Sequence, residues 1–198
     1  KVNQDLTKVF DDIDGIIVPG GFGQRGIEGM IRTIKYAREN KVPFFGIGIG
    51  MQCAVVEFAQ NICGLEDAHT TEVKPDTPHP VIDFPLKGHC EDVTAMRLGS
   101  FTCKLSENTR AKAAYGKELV KERHRHRYEF NNDYMKTLAQ CGMVFSGVCP
   151  DNNFIEIIEL KDHPWFLATV FHPEFKSRPN KPHPLFSHFI KAALKNHS

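Results

Sequence analysis

The chain has 198 residues, 41% of them hydrophobic, with a formal net charge of +1. That length and apolar content suit one well-buried domain. The near-neutral charge supplies no global field that would draw it to nucleic acid or a membrane surface, and no run of eighteen apolar residues offers a transmembrane helix. No charged-then-apolar signal segment opens the chain, which starts at Lys1 and passes almost at once into an apolar run. It therefore reads as a fragment of a longer protein. Cys53, Cys63, Cys90, Cys103, Cys141 and Cys149 lie scattered, with no CxxC pair. Free thiols in a reducing cytoplasm are expected, and neither a disulfide framework nor a bound metal.

In chain order, Ile13–Val18 is a short apolar run closed by Pro-Gly-Gly and reads as a buried strand. Ile27, Met30, Ile31, Ile34 and Ala37 follow helical spacing. Val42–Ile47 reads as a second buried strand and Met51–Gln60 as a second helix. This order predicts an α/β fold: three layers, with a mostly parallel central sheet and helices on both faces, as in flavodoxin-like architectures. Pro75, Pro78, Pro80 and Pro85 exclude a helix over most of Asp67–Gly88, which reads as a long ordered loop. Strands are expected over Met96–Leu105, Leu119–Phe130, Met143–Val148, Phe154–Leu160 and Trp165–Phe171. Glu156 and Glu159 mark the fourth of these as partly exposed. Asn132–Gln140 reads as a short helix stopped by Gly142, and Leu185–Leu194 as a closing helix. No repeat, low-complexity tract or linker divides residues 1–198, so one domain is expected.

Four stretches could carry chemistry. "VPGGFGQRG" (18–26) is either a plain turn or a cradle of backbone N–H groups for an anion; no Gly-Lys-Ser/Thr makes it a phosphate loop. "GIGIGMQ" (46–52) has the glycine-flanked strand-to-helix turn that lifts a nucleophile above a sheet edge, but its middle residue is Gly48. "FHPEF" (171–175) sets His172 and Glu174 two apart, on one side of an extended segment, as a base and its orienting carboxylate or as a surface pair. "ERHRHRYEF" (122–130) alternates, with Arg123, Arg125 and Arg127 on one face of a strand and His124, His126 and Tyr128 on the other. It reads as a solvated edge strand, a nucleic-acid patch disfavoured by the neutral charge, or a source of an arginine for a ligand carboxylate. No third ligand accompanies the two histidines for a metal.

Together "VPGGFGQRGIEGM", "VPFFGIGIGMQ", "ERHRHRYEFN", "HPWFLATVFHPEFKSRP" and "HPLF" closely resemble, in order, the class I (triad) glutamine amidotransferases, and among them the C-terminal glutaminase domains of CTP synthases. The resemblance runs from about Asp14 to about Leu194. It implies a Cys–His–Glu triad that hydrolyses L-glutamine to glutamate and ammonia in the cytoplasm. The ammonia would serve UTP amination in a separate synthase domain, absent here, which uses ATP and Mg²⁺; this domain itself needs no cofactor. The parent would be a homo-oligomer, with no nucleic-acid or membrane partner. Residue by residue, the resemblance makes His172 the general base and acid and Glu174 its orienter. Gly21 and Ile49 would supply the oxyanion-hole N–H groups. Gln52, Glu72 and Arg127 would meet the polar groups of glutamine or a glutamine analogue, and Phe22 would wall the pocket. Family members carry Gly-Ile-Cys-Leu-Gly-Met-Gln where this chain has Gly46 to Gln52, so Gly48 stands at the nucleophile position. Cys53, five residues on, faces about 140° away on a helix. An engineered substitution, a modified cysteine and a natural non-catalytic glutamine-binding form are the three origins open for Gly48. A γ-glutamyl peptidase on the same fold is a further alternative.

Overall fold

The computed structural model describes residues 6–85 and 96–196. In chain order the elements are α1 (Leu6–Val9), β1 (Ile16–Val18), α2 (Ile27–Glu39), β2 (Phe44–Ile47), α3 (Ile49–Asn61), β3 (His69–Thr70) and β4 (Pro80–Asp83). They continue with β5 (Arg97–Leu105), α4 (Arg110–Tyr115), β6 (Leu119–His126), β7 (Glu129–Phe130), α5 (Met135–Gln140), β8 (Met143–Val148), β9 (Ile155–Leu160), β10 (Phe166–Thr169) and α6 (Pro184–Asn196).

Seven strands form the main sheet in the order β1-β2-β10-β9-β8-β5-β6. Alternate side chains of β2 enter different cores. Phe44 packs with Ile34, Ala54 and Phe166 in the cluster that holds α2 and α3. Phe45 packs with Trp165, Leu185 and Phe189 in the cluster that holds α6. Both faces are thus covered, giving the expected three layers. The buried residues of α2, Ile27, Ile31, Ile34 and Ala37, keep helical spacing. By contrast α3 is buried from Ile49 to Ala59 without a polar stripe, as suits a helix enclosed on all sides.

The expectation of a mostly parallel sheet holds only for one part of it. β1–β2 and β2–β10 are parallel, whereas β10–β9, β9–β8, β8–β5 and β5–β6 are antiparallel. The connections decide this. The helical crossover α2 returns the chain parallel, while the short links around β9 can only reverse it.

Three local readings are also corrected. The expected loop over 67–88 contains β3 and β4, which join β7 in a small sheet of order β3-β4-β7; residues 86–88 lie outside the described residues. Pro80 is tolerated there because it is the first residue of its strand. The strand expected over Leu119–Phe130 breaks after His126, and β7 belongs to the small sheet. Lastly, β9 is buried at every residue, not partly exposed. Its glutamates are buried because each is paired: Glu156 with Arg97 at 2.7 Å, and Glu159 with the backbone N–H groups of Arg110 and Ala111 at 2.9 Å.

Candidate active site

β2 lies between β1 and β10 and ends at Gly48, the residue that caps α3. Gly48 has φ +55° and ψ −112°, a conformation that strains any residue with a Cβ. It is held there from both sides. Its N–H donates to the Thr169 carbonyl at 2.8 Å, and its carbonyl accepts from Met51 and Gln52 at 3.0 and 3.2 Å. The flanking glycines answer to crowding. A Cβ at residue 46 would stand 2.9 Å from Ala168 Cβ, and one at residue 50 would overlap the Val18 carbonyl. At residue 48 the nearest atoms to a Cβ would be His172 Cε1 at 3.3 Å and Nε2 at 3.4 Å. The turn is therefore blocked at its flanks by backbone and core atoms, while at its centre a side chain would press directly against one imidazole.

That imidazole follows β10. The His172 N–H donates to the Arg123 carbonyl of β6 at 2.8 Å, and Pro173–Lys176 form a 3-10 turn. The turn replaces the extended geometry expected for "FHPEF", yet it still brings His172 Nδ1 to 2.6 Å from Glu174 Oε1. Beside a carboxylate, Nδ1 carries the proton and donates it, which leaves Nε2 as an acceptor facing residue 48. Phe175 stacks on the ring at 5.1 Å. On another side Gly20 leaves so little room that a Cβ there would lie 2.6 Å from His172 Cε1. Cys53 takes no part: it is buried in α3, and burial, reinforced by Glu28, pushes its thiol up to about 12.

A cavity of about 360 Å³ opens at this point, lined by Gly21, Phe22, Gly48, Ile49, Gln52, Glu72, Met96, Arg125, His126, Arg127, Tyr128 and His172. Every residue that the family resemblance assigns to the site lines it except Glu174, which pairs with His172 Nδ1. Gln52 is buried, and its Oε1 has no partner among the described residues. The Glu72 N–H is anchored on Thr70 Oγ1 at 3.2 Å. Burial first, and then the Glu72 carboxylate, push the Tyr128 hydroxyl above its ordinary range. Arg125 lies 5.3 Å over the Phe22 ring. Ile49 N–H begins α3, where it has no intrahelical acceptor and the helix favours negative charge. One cavity thus carries a carboxylate, guanidinium groups, an unpaired amide oxygen and a base aimed at residue 48. That combination suits a small zwitterion with a reactive group to present at residue 48.

Sequence reasoning missed Met96, Arg125, His126 and Tyr128 as lining residues. Alternation sets the arginines of 122–130 on the face opposite the histidines and Tyr128, yet Arg125, His126, Arg127 and Tyr128 all line the cavity. Arg125 and His126 reach it from the end of β6, and the strand break after His126 adds Arg127 and Tyr128. Among the described residues no cluster of three His, Cys, Asp or Glu side chains is arranged to hold a metal ion. No helix there is long and apolar enough to cross a membrane.

The family model for class-I glutamine amidotransferases matches residues 1–192, and the chain belongs to that family. A solved structure of the Trypanosoma brucei CTPS glutaminase domain with bound acivicin superposes with a TM-score of 0.91, at 35% identity over 96% of this chain and 75% of that one. Within the family the chain belongs with the glutaminase domains of CTP synthases. It is 59% identical over 194 residues to the CTP synthase of Carboxydothermus hydrogenoformans, covering 97% of this chain and 36% of that protein. It is 58% identical over 198 residues to the CTP synthase of Syntrophus aciditrophicus, covering 98% of this chain and 37% of that protein. The chain therefore spans little more than a third of the length of these relatives. A glutamine amido transferase from Methylobacillus flagellatus, at 12% identity and a TM-score of 0.53, shares the fold alone.

Proposed function

We propose that this chain is the part of a cytoplasmic CTP synthase that binds L-glutamine and, with cysteine at residue 48, hydrolyses it to glutamate and ammonia. Glu72 faces the α-ammonium of glutamine, Arg127 the α-carboxylate, and Gln52 and Phe22 complete the pocket. A thiol at residue 48 gives its proton to His172 Nε2, and the thiolate attacks the amide carbon. The oxyanion is held by the N–H groups of Gly21 and Ile49. When the C–N bond breaks, His172 returns the proton to the leaving nitrogen, ammonia departs and a thioester remains. His172 then deprotonates a water molecule, which hydrolyses the thioester. Glu174 keeps the imidazole in the required tautomer throughout. The ammonia goes to a synthase segment of a homo-oligomeric parent, which uses ATP and Mg²⁺ to aminate UTP.

The observation that carries this reading is where the turn aims: a Cβ at residue 48 would stand 3.4 Å from His172 Nε2, within reach of the base. As written the chain has no nucleophile. It binds glutamine but turns it over roughly 10³- to 10⁶-fold more slowly than the cysteine form. Gly48 itself favours one second reading, a glutamine-binding domain without catalysis. Acivicin, the compound bound in the Trypanosoma relative, separates the two. On the first reading the Gly48→Cys chain gains one covalent equivalent, located at residue 48 by fragmentation, and the parent chain gains none. A Gly48→Cys chain that acivicin never modifies, while the parent chain binds glutamine, favours the second.

A further inference from the structure

The proposed reaction leaves His124 and His126 without a role, although both are buried and His126 lines the cavity. The hydrogen bonds fix their protons. His126 Nδ1 lies 3.1 Å from the Tyr128 carbonyl oxygen and 3.4 Å from Glu129 Oε1. A carbonyl only accepts, so Nδ1 carries the proton and donates it. His126 Nε2 is then the acceptor, and at 2.9 Å it receives the Nδ1–H of His124. Glu156 Oε2 lies 3.1 Å from His124 Nε2, but the two make no hydrogen bond. Arg97 ties Glu156 to Glu129 at 2.7 and 3.1 Å. Burial holds His126 well below the ordinary histidine range, which keeps it neutral with a single proton.

Both ring nitrogens of His126 are therefore committed, and neither is left for a ligand. What the ring holds is the carbonyl of Tyr128, at the point where β6 ends and the chain crosses to β7. The two residues of that crossing, Arg127 and Tyr128, both line the cavity. We propose that His126 is a positioning residue for glutamine: its Nδ1–H bond to the Tyr128 carbonyl sets the break between β6 and β7 and so aims Arg127 at the substrate carboxylate, while His124 fixes the His126 tautomer. This rests on the glutamine reading of the cavity.

The test compares His126→Asn with His126→Gln in the full chain. The asparagine amide nitrogen takes the place of Nδ1, and the glutamine amide nitrogen that of Nε2. Calorimetry with L-glutamine is expected to show His126→Gln weakened at least tenfold and His126→Asn recovering most of that loss. Equal losses in the two variants, or no loss in either, mean that the ring serves packing alone and overturn the proposal. If the parent chain binds no glutamine, the glutamine reading itself fails. The ¹⁵N spectrum of the histidine rings then decides the positioning role separately. His126 with Nδ1 protonated and Nε2 bare supports the held break at 127–128; the opposite tautomer overturns it.

Discussion

Replacing Gly20 by alanine, in a chain that also carries Gly48→Cys, probes the His172 alignment without replacing His172 or Glu174. A Cβ at residue 20 would stand 2.6 Å from His172 Cε1 and 3.1 Å from Nδ1. An ordinary carbon–carbon contact begins near 3.4 Å, so the ring must retreat by about 0.8 Å. It is not free to do so smoothly, because Nδ1 is tied to Glu174 at 2.6 Å and Phe175 stacks on the ring. A displacement of about 1 Å at a reacting group costs on the order of 10²-fold in rate, or about 2.7 kcal/mol of barrier. Gly20 is not among the cavity-lining residues, so glutamine should still bind. The assay is steady-state ammonia release. The expected result is kcat down about 10²-fold with KM changed by less than about threefold. A kcat within threefold of the Gly48→Cys parent would refute the claim that crowding at Gly20 holds His172 in line with residue 48.

Three further outcomes follow from other contacts. Arg38 meets the fully buried Glu57 through three hydrogen bonds of 2.7–3.1 Å. Arg38→Ala strands that carboxylate and should cost about 3–5 kcal/mol, read in a thermal melt as a Tm lowered by roughly 6–20 °C. His163 is buried, accepts the Trp165 N–H at Nδ1 and donates to the Ala37 carbonyl from Nε2, and burial lowers it to about 4. The unfolded chain takes up that proton near pH 6.5. Stability is therefore complete above about pH 6.5 and falls by about 3 kcal/mol as the pH drops to 4. Urea melts across that window should show a flatter dependence for His163→Gln. Cys53 is buried, with its thiol pushed up to about 12. Iodoacetamide at pH 8 should leave it unmodified in the native chain and label the new thiol of Gly48→Cys.

Much of this was legible in the sequence because the informative features are local. A strand, a glycine turn and a helix occupy residues 44–61 without interruption, and the period of α2 alone identifies its buried face. The two-residue spacing of His172 and Glu174 already puts them side by side, although a 3-10 turn and not an extended strand brings them to 2.6 Å. What escaped depends on partners far away in the chain. Glu156 and Glu159 suggested exposure, and only Arg97 and the start of α4 explain their burial. The strands inside 67–83 exist because β7 pairs with β4, some fifty residues later. The crossing from β6 to β7 brings Tyr128 to the cavity beside Arg127, and alternation within one strand carries no sign of it. The antiparallel majority of the sheet pairings likewise follows from connection lengths, which strand composition does not reveal.

On the proposed function, residues 20–22, 46–52 and 172–174 form a glutamine-hydrolysing site complete except for a thiol at residue 48. Ammonia release from L-glutamine, measured side by side for the parent chain, Gly48→Cys and Gly48→Cys/His172→Ala, tests it most directly. Turnover is expected in Gly48→Cys alone, at least roughly 10³-fold above the other two. A Gly48→Cys chain that binds glutamine but releases no more ammonia than the parent would contradict it.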